Sequence, residues 1–146
     1  MRRLLVLPLL LLPLLAGCGG GDDKLSQEEF VAAGDKLCRS YEKATSELEE
    51  PESAEELADL LSSAVRLTTG LRDDVAELDP EGEGAEVKQA FLNSIDGTIE
   101  KAEEAQKAAA NGDVEAAGAR FEEAGKAAQA ANEELSDYGF EDCADE

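Results

Sequence analysis

Residues 53–78 read SAEELADLLSSAVRLTTGLRDDVAEL, and this stretch decides the fold. Leu57, Leu60, Leu61, Ala64, Leu67, Leu71, Val75 and Leu78 recur mostly three or four residues apart, which places them on one face of a helix. Ser53-Ala54-Glu55-Glu56 is a capping-box pattern ahead of that stripe, and Pro80 ends it. No other part of the chain beyond residue 17 carries so apolar a stripe. The domain around it is therefore expected to be helical.

Working outward, Glu49-Glu50-Pro51-Glu52 separates this helix from an earlier one. That first helix opens on a second capping box, Ser26-Gln27-Glu28-Glu29, and carries Phe30, Leu37, Tyr41, Ala44 and Leu48 on one face. On the other side, the loop Glu81 to Gly84 leads into a third helix with Val87, Phe91, Ile95, Ile99, Ala102, Ala105 and Ala109. Asn111-Gly112-Asp113 makes a turn, and Asp113 is placed to cap a fourth helix bearing Val114, Ala117, Phe121, Ala124, Ala128, Ala131, Leu135 and Tyr138. Short connections favour antiparallel neighbours, so the expected fold is all-α, an up-down-up-down four-helix bundle over residues 26–146. Its core is uneven: leucine and phenylalanine fill helix two and the first half of helix three, while alanine lines the hairpin from Ala102 to Ala124. Gly112-Asp113 with Ala117, Phe121 and Ala124 resembles the second helix of a tetratricopeptide repeat. The pattern does not recur, since Glu83 in a Gly-rich loop stands 34 residues before Ala117.

The N-terminal end has a different character. Met1-Arg2-Arg3, a mostly leucine run from Leu4 to Leu15, and the small residues Ala16 and Gly17 form the three parts of an export signal. The apolar run is shorter than the roughly 20 residues that span a bilayer, and Pro8 and Pro13 interrupt it. Leu15-Ala16-Gly17-Cys18 resembles the lipobox of bacterial lipoproteins, a resemblance that covers residues 1–18. It implies a diacylglyceryl group on the Cys18 thiol, removal of residues 1–17 as a signal peptide, and Cys18 as the mature N-terminus. Two acyl chains anchor a protein stably where one does not. Residues 18–25 hold the lipidated cysteine and the linker Gly19-Gly20-Gly21-Asp22-Asp23-Lys24, which reaches at most about 20 Å. The expected location is the extracytoplasmic face of the cell membrane.

Cys38 and Cys143 then remain as an even pair in a compartment where disulfides persist, and they are expected to bridge. The geometry is demanding. Gly139 can end helix four and turn the tail back, with Phe140 packing beneath it, but Cys38 stands about 18 Å along helix one. The bridge requires that fold-back, or a fourth helix that stops short. A lipobox, a Gly-rich linker, an acidic helical domain and a Tyr-Gly-x-x-x-Cys tail together resemble small helical lipoproteins of actinobacterial type. This resemblance implies no activity, ligand or catalytic residue.

Charge and composition exclude much. Loss of Arg2 and Arg3 leaves 11 basic residues of 13 against 35 acidic ones, a formal charge of −24 for the mature chain. Nucleic acid and anionic headgroups are repelled by such a surface. With no histidine, the triads of nucleophilic enzymes and the usual zinc partners are missing, and no CxxC, calcium-loop or phosphate-loop pattern occurs. The many paired carboxylates, such as Glu55-Glu56 and Glu133-Glu134, suit solvated helix faces. Catalysis, a metal centre and a cofactor are not expected. Two functions fit: an interaction or structural module of the cell envelope with basic proteins as partners, and a small-ligand or cation-binding lipoprotein for uptake or sensing. The second draws on the envelope address and on a cavity in the alanine-rich core; weak, nonspecific cation binding is a separate expectation around Glu49 to Glu56.

Overall fold

Three of the helices start where Ser26, Ser53 or Asp113 supplies a side-chain acceptor for a first amide. In the computed structural model, which describes residues 24–144, α1 spans Gln27–Ser46. The Ser26 hydroxyl accepts the Glu29 N–H, and the Glu29 carboxylate accepts the Ser26 N–H at 3.0 Å, so the capping box is complete. Helix α2 spans Ala54–Glu77, and Ser53 Oγ accepts the Glu56 N–H at 3.2 Å. Its box is only half formed, because the Glu56 carboxylate turns one residue further back and takes the Glu52 N–H at 2.7 Å. Helix α3 spans Gly84–Ala110, and α4, Val114–Ala128, starts on the Asp113 carboxylate after Gly112 at φ 79°. No basic residue stands in the last turn of α2; Lys88 reaches across from α3 and donates to the carbonyls of Ala76 and Leu78.

The expected continuous fourth helix is broken. After α4 comes a 3-10 turn, Gln129–Ala131, and then the short helix α5, Asn132–Tyr138. Ser94 on α3 supplies the physical reason: its hydroxyl lies 2.8 Å from the Ala127 carbonyl and 2.9 Å from that of Ala128. Those two carbonyls are the ones a continuing α-helix would offer to the amides four residues on.

Helix α3 packs against both α2 and α4, while α1 rests on α2. The main core gathers Phe30, Val75, Val87, Phe91, Leu92, Ile95, Leu135 and Phe140. A separate, alanine-rich cluster of Leu61, Ala105, Ala109 and Ala117 joins α2, α3 and α4 only. Helix α1 does not reach that cluster, and the contacts that tie the helices together include no extensive α1–α4 interface among the described residues. Two side chains expected in the core therefore lie outside it: Val114 is 52% exposed and Phe121 is 55% exposed. Helix α4 buries Ala117 and Ala124, and Val114 and Phe121 stand exposed on the flank beside them. No described helix is long and apolar enough to cross a membrane.

Candidate functional site

The C-terminal tail follows α1 upward. Tyr138 O accepts from the Gln27 amide at 2.7 Å, at the first residue of α1. Gly139 then takes φ 114°, and its N–H and that of Phe140 return to the Leu135 carbonyl, a left-handed helix stop. The Phe140 ring, 3% exposed, lies edge-on to Phe30 with centroids 5.2 Å apart and directly over Gly34. One turn of backbone further on, the buried Asp35 carboxylate accepts the N–H groups of Glu141, Asp142 and Cys143 at 3.0–3.3 Å. Arg39 pairs with Asp142, and Cys143 bridges to Cys38 with Cα atoms 5.3 Å apart. From Gln27 to Cys38 is a climb of about 17 Å along the helix axis, within the reach of the five residues that follow Tyr138. Of the two routes to the bridge, the chain takes the fold-back: the helical stretch still runs to Tyr138, level with the start of α1, and the tail turns back from there.

Above the disulfide, between α1 and α4, the open side forms a cleft of about 730 Å³. Leu60, Leu61 and Leu71 of α2 and Phe91 and Ile95 of α3 make its apolar floor. Tyr41, Thr45 and Leu48 form one lip, and Phe121 and Ala128 the other. Its hydroxyls are largely committed. Thr68 donates to the Ala64 carbonyl at 2.9 Å, so the Tyr41 hydroxyl is the donor of the 2.9 Å bond between Tyr41 and Thr68. Thr98 donates to the Ser94 carbonyl, and Thr45 to carbonyls of its own helix. Glu42, Glu49 and Glu50 line the α1 end of the cleft, and no basic side chain pairs with them among the described residues.

A second hollow, of about 520 Å³, lies at the pole where α1 begins. Glu83, Glu86, Glu133, Glu134 and Asp137 line it together with Tyr138. Burial pushes the Tyr138 phenol above its usual range, and the charges of Glu83 and Glu81 push in the same direction. Leu25 is tied to this pole by its N–H on Asp79 O and by the Glu81 N–H on its own carbonyl, and Lys24 pairs with Asp79 at 3.6 Å.

The chain matches no family model, no curated protein and no solved structure. Its functional residues must be assigned from geometry. Cys38 and Cys143 are brought together as expected; Cys18 and residues 1–17, where a signal peptide is expected, lie outside the described residues. Glu49 and Glu50 fall on the rim of the cleft, and among the described residues no three Asp, Glu or Cys side chains converge as metal ligands. Gly34 and Asp35 are residues that the apolar spacing did not reveal. A signal was present, since they sit within the Phe30 to Cys38 face of α1, where an aspartate demands a partner.

Proposed function

We propose that this chain is a lipid-anchored, exported protein of the cell envelope that works by binding a partner, not by catalysis. The observation that carries this is the Cys38–Cys143 bridge, which closes a separation of 105 residues and suits an oxidising compartment beyond the cytoplasm. The lipobox-like residues Leu15-Ala16-Gly17-Cys18 supply the anchor, with two acyl chains on Cys18. The short linker after Cys18 leads to Lys24 and Leu25, so the tether leaves the domain beside the acidic hollow of Glu83, Glu86, Glu133 and Glu134. Carboxylates at the membrane-facing pole repel anionic headgroups and hold the domain off the surface. The helices run up-down-up-down as a bundle open along its α1–α4 side, and that open side is the binding surface.

A binding role is favoured over an enzymatic one by the composition of the cleft. Its threonine hydroxyls donate to carbonyls and its Tyr41 hydroxyl to Thr68, its lining offers no imidazole or lysine base, and the chain contains no histidine. Metabolic labelling with palmitate tests the anchor: wild-type chain should carry label and fractionate with membranes, and the Cys18→Ser variant should lose both. Label retained on that variant would overturn the proposal.

The volume of the cleft favours a second reading, since about 730 Å³ lies within the range of small-molecule sites. In that case the chain is a small-ligand or cation-binding lipoprotein for uptake or sensing. Thermal-shift screening against metal ions and small solutes separates the two, because a ligand at 100 times its dissociation constant stabilises by about 2.7 kcal/mol.

A further inference from the structure

We propose that the open side between α1 and α4 seats a fifth helix, an amphipathic and basic segment of a partner protein. This rests on the domain being a binding module and names the chemistry of what it binds. Val114, Gly118, Phe121, Gly125 and Ala128 lie at intervals of three and four along α4 and form one exposed stripe. The stripe is about 21 Å long at 1.5 Å per residue. Val114 and Phe121 are more than half exposed, and the space over Gly118 and Gly125 is open, with no atom within 4 Å of where a Cβ would stand. A second backbone can approach there closely. On the facing lip, Tyr41, Thr45 and Leu48 repeat the same spacing on or just past the end of α1. Such a trough matches the way amphipathic helices lay apolar residues at i, i+3, i+4 and i+7 into a groove.

Two observations choose this occupant over others. Val114 and Gly118 continue the stripe beyond the cleft itself, so the apolar surface is longer than a small molecule needs and fits a helix of about 14 residues. Charge selects its sign. Glu42, Glu49 and Glu50 stand unpaired among the described residues along the α1 lip, and the chain as a whole carries −22. Lysine and arginine flanking the apolar face of the incoming helix would meet those carboxylates. A second copy of this chain would bring like charge to the same rim.

The probe is a designed leucine–lysine peptide of roughly 18 residues with its leucines on one helical face. Its control has the same composition, scrambled so that no apolar face forms. Full-length chain in zwitterionic lipid nanodiscs is titrated with each at about 0.15 M salt, where long-range attraction is largely screened. The patterned peptide should bind at least about tenfold more tightly than the scrambled one. Phe121→Glu, at an exposed position that folding does not need, should weaken it by a similar factor, as should the double variant Glu49→Gln/Glu50→Gln. Glu133→Gln/Glu134→Gln, at the other pole, should leave affinity unchanged. Equal binding of the two peptides, or equal losses at both poles, would show counterion attraction and overturn the proposal. So would an unaffected Phe121→Glu variant, an absence of binding, or self-association that buries Phe121. Palmitate labelling reads the anchor independently, so loss of one conclusion leaves the other to stand or fall by its own measurement.

Discussion

Gly34 and Asp35 occupy consecutive positions on α1 and do opposite things for the tail: one makes room, the other supplies charge. A Cβ on Gly34 would overlap the Phe140 ring, which is held between Phe30 and Phe91 and has nowhere to retreat. Gly34→Ala adds helix propensity worth about 1 kcal/mol, but overpacking costs about 1–3 kcal/mol. The net expectation is a loss of about 1–2 kcal/mol in urea unfolding, and a stabilised variant would show that Phe140 can shift. Asp35 presents a single carboxylate to three consecutive amides, so Asp35→Ala leaves all three without their acceptor. Because the tail is partly open to water, the loss should fall near the value of one or two charge-assisted bonds, about 2–3 kcal/mol. Asp35→Asn keeps an acceptor and should lose less. Both variants should speed reduction of the Cys38–Cys143 bridge, since Asp35 holds Cys143 in place.

At the scale of elements, α4 is the helix whose environment the pattern did not convey. Phe121 shares the apolar spacing of Ala117 and Ala124, yet only the alanines are buried. Phe121→Ala should therefore change stability by no more than about 0.5 kcal/mol, whereas Phe91→Ala, in the main core, should cost about 3–5 kcal/mol. Chemical denaturation of the two variants checks the contrast. Helix starts were legible because Ser26, Ser53 and Asp113 each carry an oxygen that satisfies a nearby amide. The open side was not, because closure of a bundle depends on whether α1 meets α4, and periodicity within one helix says nothing about its neighbours. The break before α5 was hidden for a similar reason, as it depends on Ser94 from another helix. Helix α1 adds a pH test. The Ser26 hydroxyl and then its amide bond to the Glu29 carboxylate and lower its pKa from 4.5. The stability that Glu29 contributes is thus fully present above 4.5 and is lost as pH falls through the lower folded value. The stability difference between wild type and Ser26→Ala should shrink below that pH, and a constant difference would refute the linkage.

For the whole molecule, one covalent link opposes a large self-repulsion. The described ion pairs sit on exposed or partly exposed side chains, where each contributes about 0–1 kcal/mol, too little to offset 35 acidic against 13 basic residues. Closing a separation of 105 residues contributes up to about 4.7 kcal/mol in the chain-entropy account, comparable with the whole stability of a small domain. Reduction should therefore bring the domain near its unfolding midpoint at low ionic strength. Sodium chloride at about 0.5 M should restore part of the loss, because screening shortens the range over which the carboxylates repel. Calorimetry of oxidised and reduced chain across a salt series measures both effects, and a melting temperature that falls with salt would mean that attractive pairs outweigh repulsion. Calcium and magnesium chloride at matched ionic strength extend the test. If the acidic surface acts only as a field, divalent and monovalent salts should raise the melting temperature alike. An excess shift with either divalent ion, removed by Glu49→Gln/Glu50→Gln, would place a cation at the rim of the cleft and favour the ligand-binding reading over the helix-binding one.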